Sequence, residues 1–314
     1  MSALQFFQPA SAAEARALLG ASALPVDSPT QRRIRTPQNL SDYFHAGRRR
    51  PEWVWGVRRD DDPAPLGVVG AFGTPDGRLI LDVFGLPDDP SVARALVAHA
   101  TGNASPEVEE AVVFAPPGTT VSDDAVAALV VPLEAAGWRL LVERRHYEFA
   151  APPGLAADEE TNLTFERLAE PDDPRLTACH RAVMRNTLDA HDLDLVGRLG
   201  FDEACRESLR YLLAADPVER IHLAADATGS VVGMVSGHVL TNQRGVVIFV
   251  GVAREHRGRG YGRQLLAWQT RRLLAGGATT LIADTDNANI PMARAFVDVG
   301  WPQTETRIDF VLGR

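Results

Sequence analysis

The amino-acid sequence predicts an α/β (α+β) protein made of two tandem domains, and three observations carry that prediction. Apolar runs of strand length alternate with runs of helical period through both halves of the chain. Its 314 residues exceed what a single hydrophobic core usually organises. Short words also recur in order: VVG at 68–70 and 231–233, and GW at 137–138 and 300–301, both lie 163 residues apart. Gly85 and Gly251, each ending a strand-like run that a helical segment follows, lie 166 apart. Such order at a nearly constant offset marks a duplicated unit. Between the copies, APPGLAADEETN is rich in Pro, Gly, Ala and acid and lacks any strand or helix period, so it reads as a linker. The expected domains are 1–152 and 162–314, joined by a linker over 153–161.

In the second copy the elements follow in a readable order. LTFERL opens it as a strand; LTACHRAVMRN and FDEACRESLRYLLAA have helical period, and TLDAHDLDL between them reads as an insert. Three β-rich runs come next, RIHLAAD, SVVGMVSGHVL and GVVIFVGV, separated by the turn residues of ATG and TNQRG. YGRQLLAWQTRRLLAGG is a helix with Leu265, Trp268 and Leu273 near one face and Gly276 as its stop. A strand TLIADT, a helix IPMARAFVDVG and a last strand RIDFVL complete the copy. The first copy repeats this order in outline.

Composition narrows the function. With 45% hydrophobic and 23% charged residues, and no apolar run of membrane-spanning length, the chain is expected to be soluble, without a membrane partner. Its N-terminus has no basic segment before an apolar core, so a secretory signal is not expected and the cytoplasm is. Cys179 and Cys205 are too few for a disulfide framework and lack metal-ligand spacing, so both are expected buried and reduced, with no metal. The net charge of −9 repels a phosphate backbone, which argues against a nucleic-acid partner. The chain contains no lysine, which excludes a P-loop lysine and a lysine Schiff base. The basic run at Arg48–Arg50 is short and Pro-flanked and reads as surface.

One stretch carries chemistry. VAREHRGRGYG, residues 252–262, takes the strand GVVIFV through a Gly-rich turn into a helix. Unpaired N–H groups of a first helical turn, the helix dipole and close approach past glycines make such a junction an anion cradle. Gly258, Gly260 and Gly262 alternate with Arg259 and Tyr261, while Arg254 and Arg257 precede them, so phosphate is the expected anion. The dinucleotide fingerprint fails, because Arg263 stands where its third glycine belongs.

The hexapeptide Arg257-Gly258-Arg259-Gly260-Tyr261-Gly262 resembles the coenzyme-A signature of the GNAT superfamily of N-acyltransferases. Asn289-x-x-Met292-x-x-x-Phe296-x-x-x-Gly300-Trp301 is similar to the family's motif in the helix after its fifth strand. The resemblance covers roughly residues 161–314 and implies two tandem GNAT-like domains, each a mixed, mostly antiparallel sheet flanked by helices. It also implies that acetyl-CoA or another acyl-CoA lies where the fourth and fifth strands splay. Backbone groups of Val250 and Val252 would then meet the pantetheine arm, amides from Arg257 to Gly262 the pyrophosphate, and Asn289 the pantetheine, unless it only caps its helix. In the first copy the matching turn reads Gly85-Leu86-Pro87-Asp88-Asp89-Pro90-Ser91, whose prolines remove donors and whose carboxylates repel phosphate. One cofactor site is therefore expected, in the second copy, with the first as scaffold or as a wall of the substrate cleft.

Acyl transfer needs a free amine, an oxyanion donor and an acid for the leaving thiolate. Where the family often has a tyrosine for that acid, this chain has Phe296, and its fourth strand carries no carboxylate base. Asp284 and His238 are the catalytic candidates, with Asp286, His191 and Asp192 as further ones; Asp284 and Asp286 otherwise cap a turn, and His238 otherwise is an ordinary strand histidine. Asp189 and Asp192, with Asp194, are the candidates to attract a cationic amine, or else lie in a solvated loop. The expected function is acetyl-CoA-dependent N-acetylation of a small amine, such as a polyamine, amino sugar or amino-acid derivative, by a monomer or homodimer. The alternatives are a non-catalytic acyl-CoA sensor or partner protein and, against the acidic charge, a nucleic-acid adaptor.

Overall fold

The computed structural model describes residues 3–75, 77–150, 161–240 and 242–313. Apart from Thr161, the expected linker lies outside the described residues. The chain divides into two units, Met1–Glu143 with Glu305–Arg314, and Arg144–Thr304.

Elements of the first unit run β1 (Leu4–Phe7), α1 (Ala12–Ala21), α2 (Pro29–Ile34), α3 (Pro37–His45), β2 (Val54–Arg59) and β3 (Asp62–Gly73). They continue with β4 (Leu79–Gly85), α4 (Pro90–Asn103), β5 (Val108–Ala115) and α5 (Asp124–Ala135). Strand β6 (Trp138–Ala150) leads into the second unit. There follow β7 (Thr164–Arg167), α6 (Pro174–Met184), α7 (Ala190–Leu199), α8 (Phe201–Ala215), β8 (His222–Ala225) and β9 (Val231–Val239). The chain ends with β10 (Arg244–Val252), α9 (Tyr261–Ala275), β11 (Thr280–Asp286), α10 (Ile290–Val299) and β12 (Gln303–Leu312).

Within the first unit the strand order is β1-β2-β3-β4-β5-β12, and within the second β7-β8-β9-β10-β11-β6. Neighbours are antiparallel except β4 with β5 and β10 with β11, which are parallel. The two orders match strand for strand, so each unit is a mixed, mostly antiparallel sheet flanked by helices. The repeated words obey the match: VVG falls on β3 and β9, and GW leads into β6 and β12.

The division differs from the sequence boundary at both ends of the second copy. Residues 144–150 of β6 pair with β11, from Arg144 opposite Asp286 to Ala150 opposite Thr280. Residues 306–311 of β12 pair with β5 instead, from Thr306 opposite Ala115 to Val311 opposite Glu110. The last strand of each copy thus completes the sheet of the other, a pairing that no local pattern reveals because ladder hydrogen bonds ignore chain distance.

Separate cores hold the units. Trp55, Phe84, Leu96, Leu129 and Phe310 are among the buried residues that pack together in the first. In the second, Tyr147, Leu266, Phe296 and Trp301 pack between helices and β11, and Leu176, Leu212 and Met234 pack beneath α6 and α8. Each such side chain contributes roughly 1.5–3 kcal/mol by leaving water. Cys179 and Cys205 are free and buried, and burial pushes the Cys179 thiol up to about 12. Among the described residues, no helix is long and apolar enough to cross a membrane.

Candidate active site

Strands β10 and β11 pair only where Arg244–Val246 face Thr280–Ile282. Beyond that point β10 is irregular against β9 between Val247 and Phe249, while β11 stays in register with β6 as far as Asp286. A bulge bends the strand that carries it, so the two parallel strands part. The Ala253 amide bonds the Val232 carbonyl at 2.9 Å. Antiparallel alternation then turns the N–H and C=O of Val250 and Val252 away from β9 and toward the opening. Backbone polar groups on an edge inside a sheet need partners, and an extended ligand can supply them.

The edge runs straight into the glycine-rich turn of residues 257–262. Gly258 and Gly260 hold φ of +78° and +77°, with nothing within 4 Å of the position a Cβ would take. It is therefore the left-handed backbone, not crowding, that selects glycine at both places. Gly260 is the N-cap of α9 and provides no side chain to satisfy the first-turn amides. The corresponding helix of the first unit is closed: at α4 the Asp89 carboxylate accepts from the Ser91 amide at 2.9 Å.

Arg257, whose amide the sequence assigns to the anion, has a structural part to play through its side chain. Its guanidinium turns inward and donates to the carbonyls of Val252 at 3.2 Å, Asn186 at 2.8 Å and Val183 at 2.6 Å. A planar cation with several donors ties a loop to a helix end in this way, so its side chain anchors the turn to the end of α6. Arg259 is exposed, and its Nη2 donates to the Glu255 carbonyl at 3.4 Å.

A cleft of about 510 Å³ joins these features. Gly258, Gly260, Tyr261 and Gly262 line it, as do Val250, Val252, Asn289 and Phe296, and so do Arg144, Asp189, Asp192 and Asp284. Asn289 caps α10, its side chain accepting from the Met292 amide at 3.2 Å, and still borders the cleft. Phe296 stacks on Tyr147 with centroids 4.1 Å apart, and Tyr147 is not a lining residue.

The polar lining forms a network. Asp284 Oδ1 lies 2.7 Å from His146 Nδ1, directly across the β11–β6 ladder. Arg144 donates to Asp286 Oδ1 at 2.7 Å and to Asp189 Oδ2 at 2.8 Å. Asp286 also accepts the Ala190 amide at 2.6 Å, and burial raises its carboxyl against the pull of Arg144. Asp189 caps α7 through the amides of His191 and Asp192, which makes the expected insert a helix. Burial pushes the Asp189 carboxyl up, but Arg144, His191 and these amides outweigh it and hold it below the usual range. Asp192 accepts from Ser208 Oγ at 3.0 Å and Thr187 Oγ1 at 3.3 Å.

His238 is not brought to this site. It faces Asp216, the C-cap of α8, with Nδ1 3.0 Å from Oδ1, and does not line the cleft. Arg144 and His146, which do belong to the Asp284 and Asp286 network, escaped sequence reasoning because they precede the linker and so fall within the expected first copy. The signal was the alternation in ERRHYEF: Tyr147 and Phe149 are core, while Arg144, His146 and Glu148 share the opposite face.

In the first unit β4 and β5 also part, after Leu81 pairs with Ala111. The next residue, Asp82, is buried and clasped by Arg49 at 2.9 and 2.5 Å. Arg35 is pushed down to about 10 by burial, with the charges of Asp82 and Arg49 acting on it, and Nη1 donates to Gln31 Oε1 at 2.7 Å. Helix α2, which carries Gln31, packs on β5. Protein groups therefore enclose Asp82 where these strands part.

The acetyltransferase (GNAT) family model matches residues 189–301. A GCN5-related N-acetyltransferase from Sphaerobacter thermophilus is similar in structure, with TM-score 0.59 and 16% identity, over 98% of this chain and 94% of that one. A tandem GNAT protein from the clavulanic acid biosynthesis pathway gives TM-score 0.55 and 17% identity over 98% of both chains. The GCN5-related glucosamine N-acetyltransferase region of a fungal multi-domain GH3 β-N-acetylglucosaminidase gives TM-score 0.62 and 13% identity, over 99% of this chain and 38% of that one. No curated protein matches the chain in sequence. At these identities the structural likeness establishes the shared fold.

Proposed function

We propose that this chain, which carries a GNAT-family domain in its C-terminal half and a tandem GNAT fold over nearly its whole length, transfers the acetyl group of acetyl-CoA to a small primary amine at one site. The observation that carries the reading is the open edge of β10 running into the uncapped start of α9 within one cleft. In this reading the pantetheine arm lies along Val250 and Val252. The pyrophosphate meets the amides from Gly258 to Gly262, and the acceptor enters beside Asp189, Asp192 and Asp284. The amine nitrogen attacks the thioester carbonyl, the carbon–sulfur bond breaks, and the thiolate leaves as the thiol after gaining a proton. A closed α4 terminus and the buried Asp82–Arg49 pair support a single donor site.

Calorimetric titration with acetyl-CoA, followed by thiol release across a panel of amines, tests the reading. One-to-one binding with amine-dependent release is the expected result; absence of binding would sink it. Phe296 favours a second reading, a non-catalytic acyl-CoA sensor, since a phenyl ring cannot protonate a thiolate. Binding without release on any amine is what the sensor predicts.

A further inference from the structure

We infer that Asp192, braced by Ser208 and His180, takes the proton of the acceptor, which therefore enters the cleft as an ammonium ion. This rests on the acyltransferase reading above. Asp189 and Asp286 share the Arg144 guanidinium, and Asp284 is bonded to His146. Asp192 also lines the cleft, but its hydrogen-bond donors are the hydroxyls of Ser208 and Thr187. A half-buried carboxylate held only by neutral donors gains most from a cation brought by a ligand.

The support behind it is specific. Ser208 gives its one hydroxyl hydrogen to Asp192, so its oxygen accepts from His180 Nε2, 3.3 Å away. His180 is 1% exposed, and burial pushes its imidazole down to about 4, so it braces Ser208 as a neutral ring. Groups around Asp192 are Asp189, His191 and Thr187 beside it in the chain, Arg144 of β6, Asp286 and Asp284 of β11, His180 of α6, and Ser208 and Cys205 of α8. Burial, then the charge of Asp189, raises the Asp192 carboxyl to about 6. At neutral pH the group is mostly ionised, yet more basic than an ordinary carboxylate.

The step balances without a co-reactant. An N–H bond of the ammonium breaks and an O–H bond forms on Asp192; the free amine attacks the thioester; its second proton ends on the departing sulfur. Asp192 then returns its proton to water. Ser208 and His180 are positioning residues.

The test measures acetyl-CoA affinity by calorimetry and thiol release between pH 5 and 9, with 1,4-diaminobutane, glucosamine and glycinamide as amines. Asp192→Asn is expected to keep the acetyl-CoA Kd and lose about 10²- to 10⁴-fold in release rate, the usual worth of a general base. Ser208→Ala removes a hydrogen bond to the charged form, so the acid limb of the rate profile is expected to move to higher pH. Wild-type rates in Asp192→Asn, or an unmoved limb in Ser208→Ala, would overturn the proposal and leave the acyltransferase reading standing. Acetyl-CoA binding with no release on any amine would overturn proposal and catalysis together, and no binding would remove the donor site itself.

Discussion

Replacing Arg257 with methionine keeps the length of the side chain and removes every donor. Its guanidinium has three carbonyl acceptors, of which Val252 and Val183 are part-buried and Asn186 is exposed. A hydrogen bond to a charged group contributes about 1.5–3 kcal/mol. Water takes over at Asn186, and the bond to Val252 is long, so the two sheltered contacts together contribute about 3 kcal/mol. For a unit of this size that corresponds to a fall in Tm of about 6–12 °C. Thermal and urea unfolding measure it, and calorimetry well below Tm gives the acetyl-CoA Kd, expected to weaken about tenfold as the cradle loses its anchor. Arg257→Glu is expected to be worse on both counts, because it sets a carboxylate against three carbonyls. Unchanged unfolding in Arg257→Met together with complete loss of binding would mean that the guanidinium holds the ligand instead of the loop, and would overturn the assignment.

Further outcomes follow from the same geometry. Gly260→Ala forces a left-handed alanine into open space, costing about 1–2 kcal/mol, and Gly260→Asn is expected to cost less; unfolding midpoints of the pair check the order. Asp82→Ala strands Arg49 in the first unit and is expected to cost 3–5 kcal/mol by the usual penalty for breaking a buried pair, about that in urea unfolding, with the acetyl-CoA Kd intact. Phe296→Tyr returns a phenol to the cleft lining, and thiol release is expected to rise by about tenfold or more, read against an unchanged Kd.

Much of the site was legible because its chemistry is local. The run from Val250 to Gly262 shows a strand, a glycine-rich turn and a helix start within one stretch, and the structure assembles those parts in that order. The cap at Asn289 was legible, since a helix that starts after a strand calls for a side-chain acceptor, and the same residue borders the cleft. His238 misled because strand alternation gives the face a side chain occupies but not its neighbours, and here the neighbour is Asp216. The inward turn of Arg257 was hidden for a related reason: its acceptors are carbonyls of residues 183 and 186, which leave no mark in composition. TLDAHDLDL looked like an insert, yet Asp189 caps it into a helix that sets Asp192 beside Ser208.

The exchanged strands bear on how the gene can be divided. A cut in the apparent linker would leave a C-terminal piece without residues 144–150, and so without Arg144, His146 and the antiparallel partner of β11. The N-terminal piece would lack the strand that pairs with β5. Each fragment would carry a sticky β-edge whose natural mate is encoded in the other. Co-expressed halves would complement one another as a split protein, whereas either half made alone would be a poor starting point for binding studies.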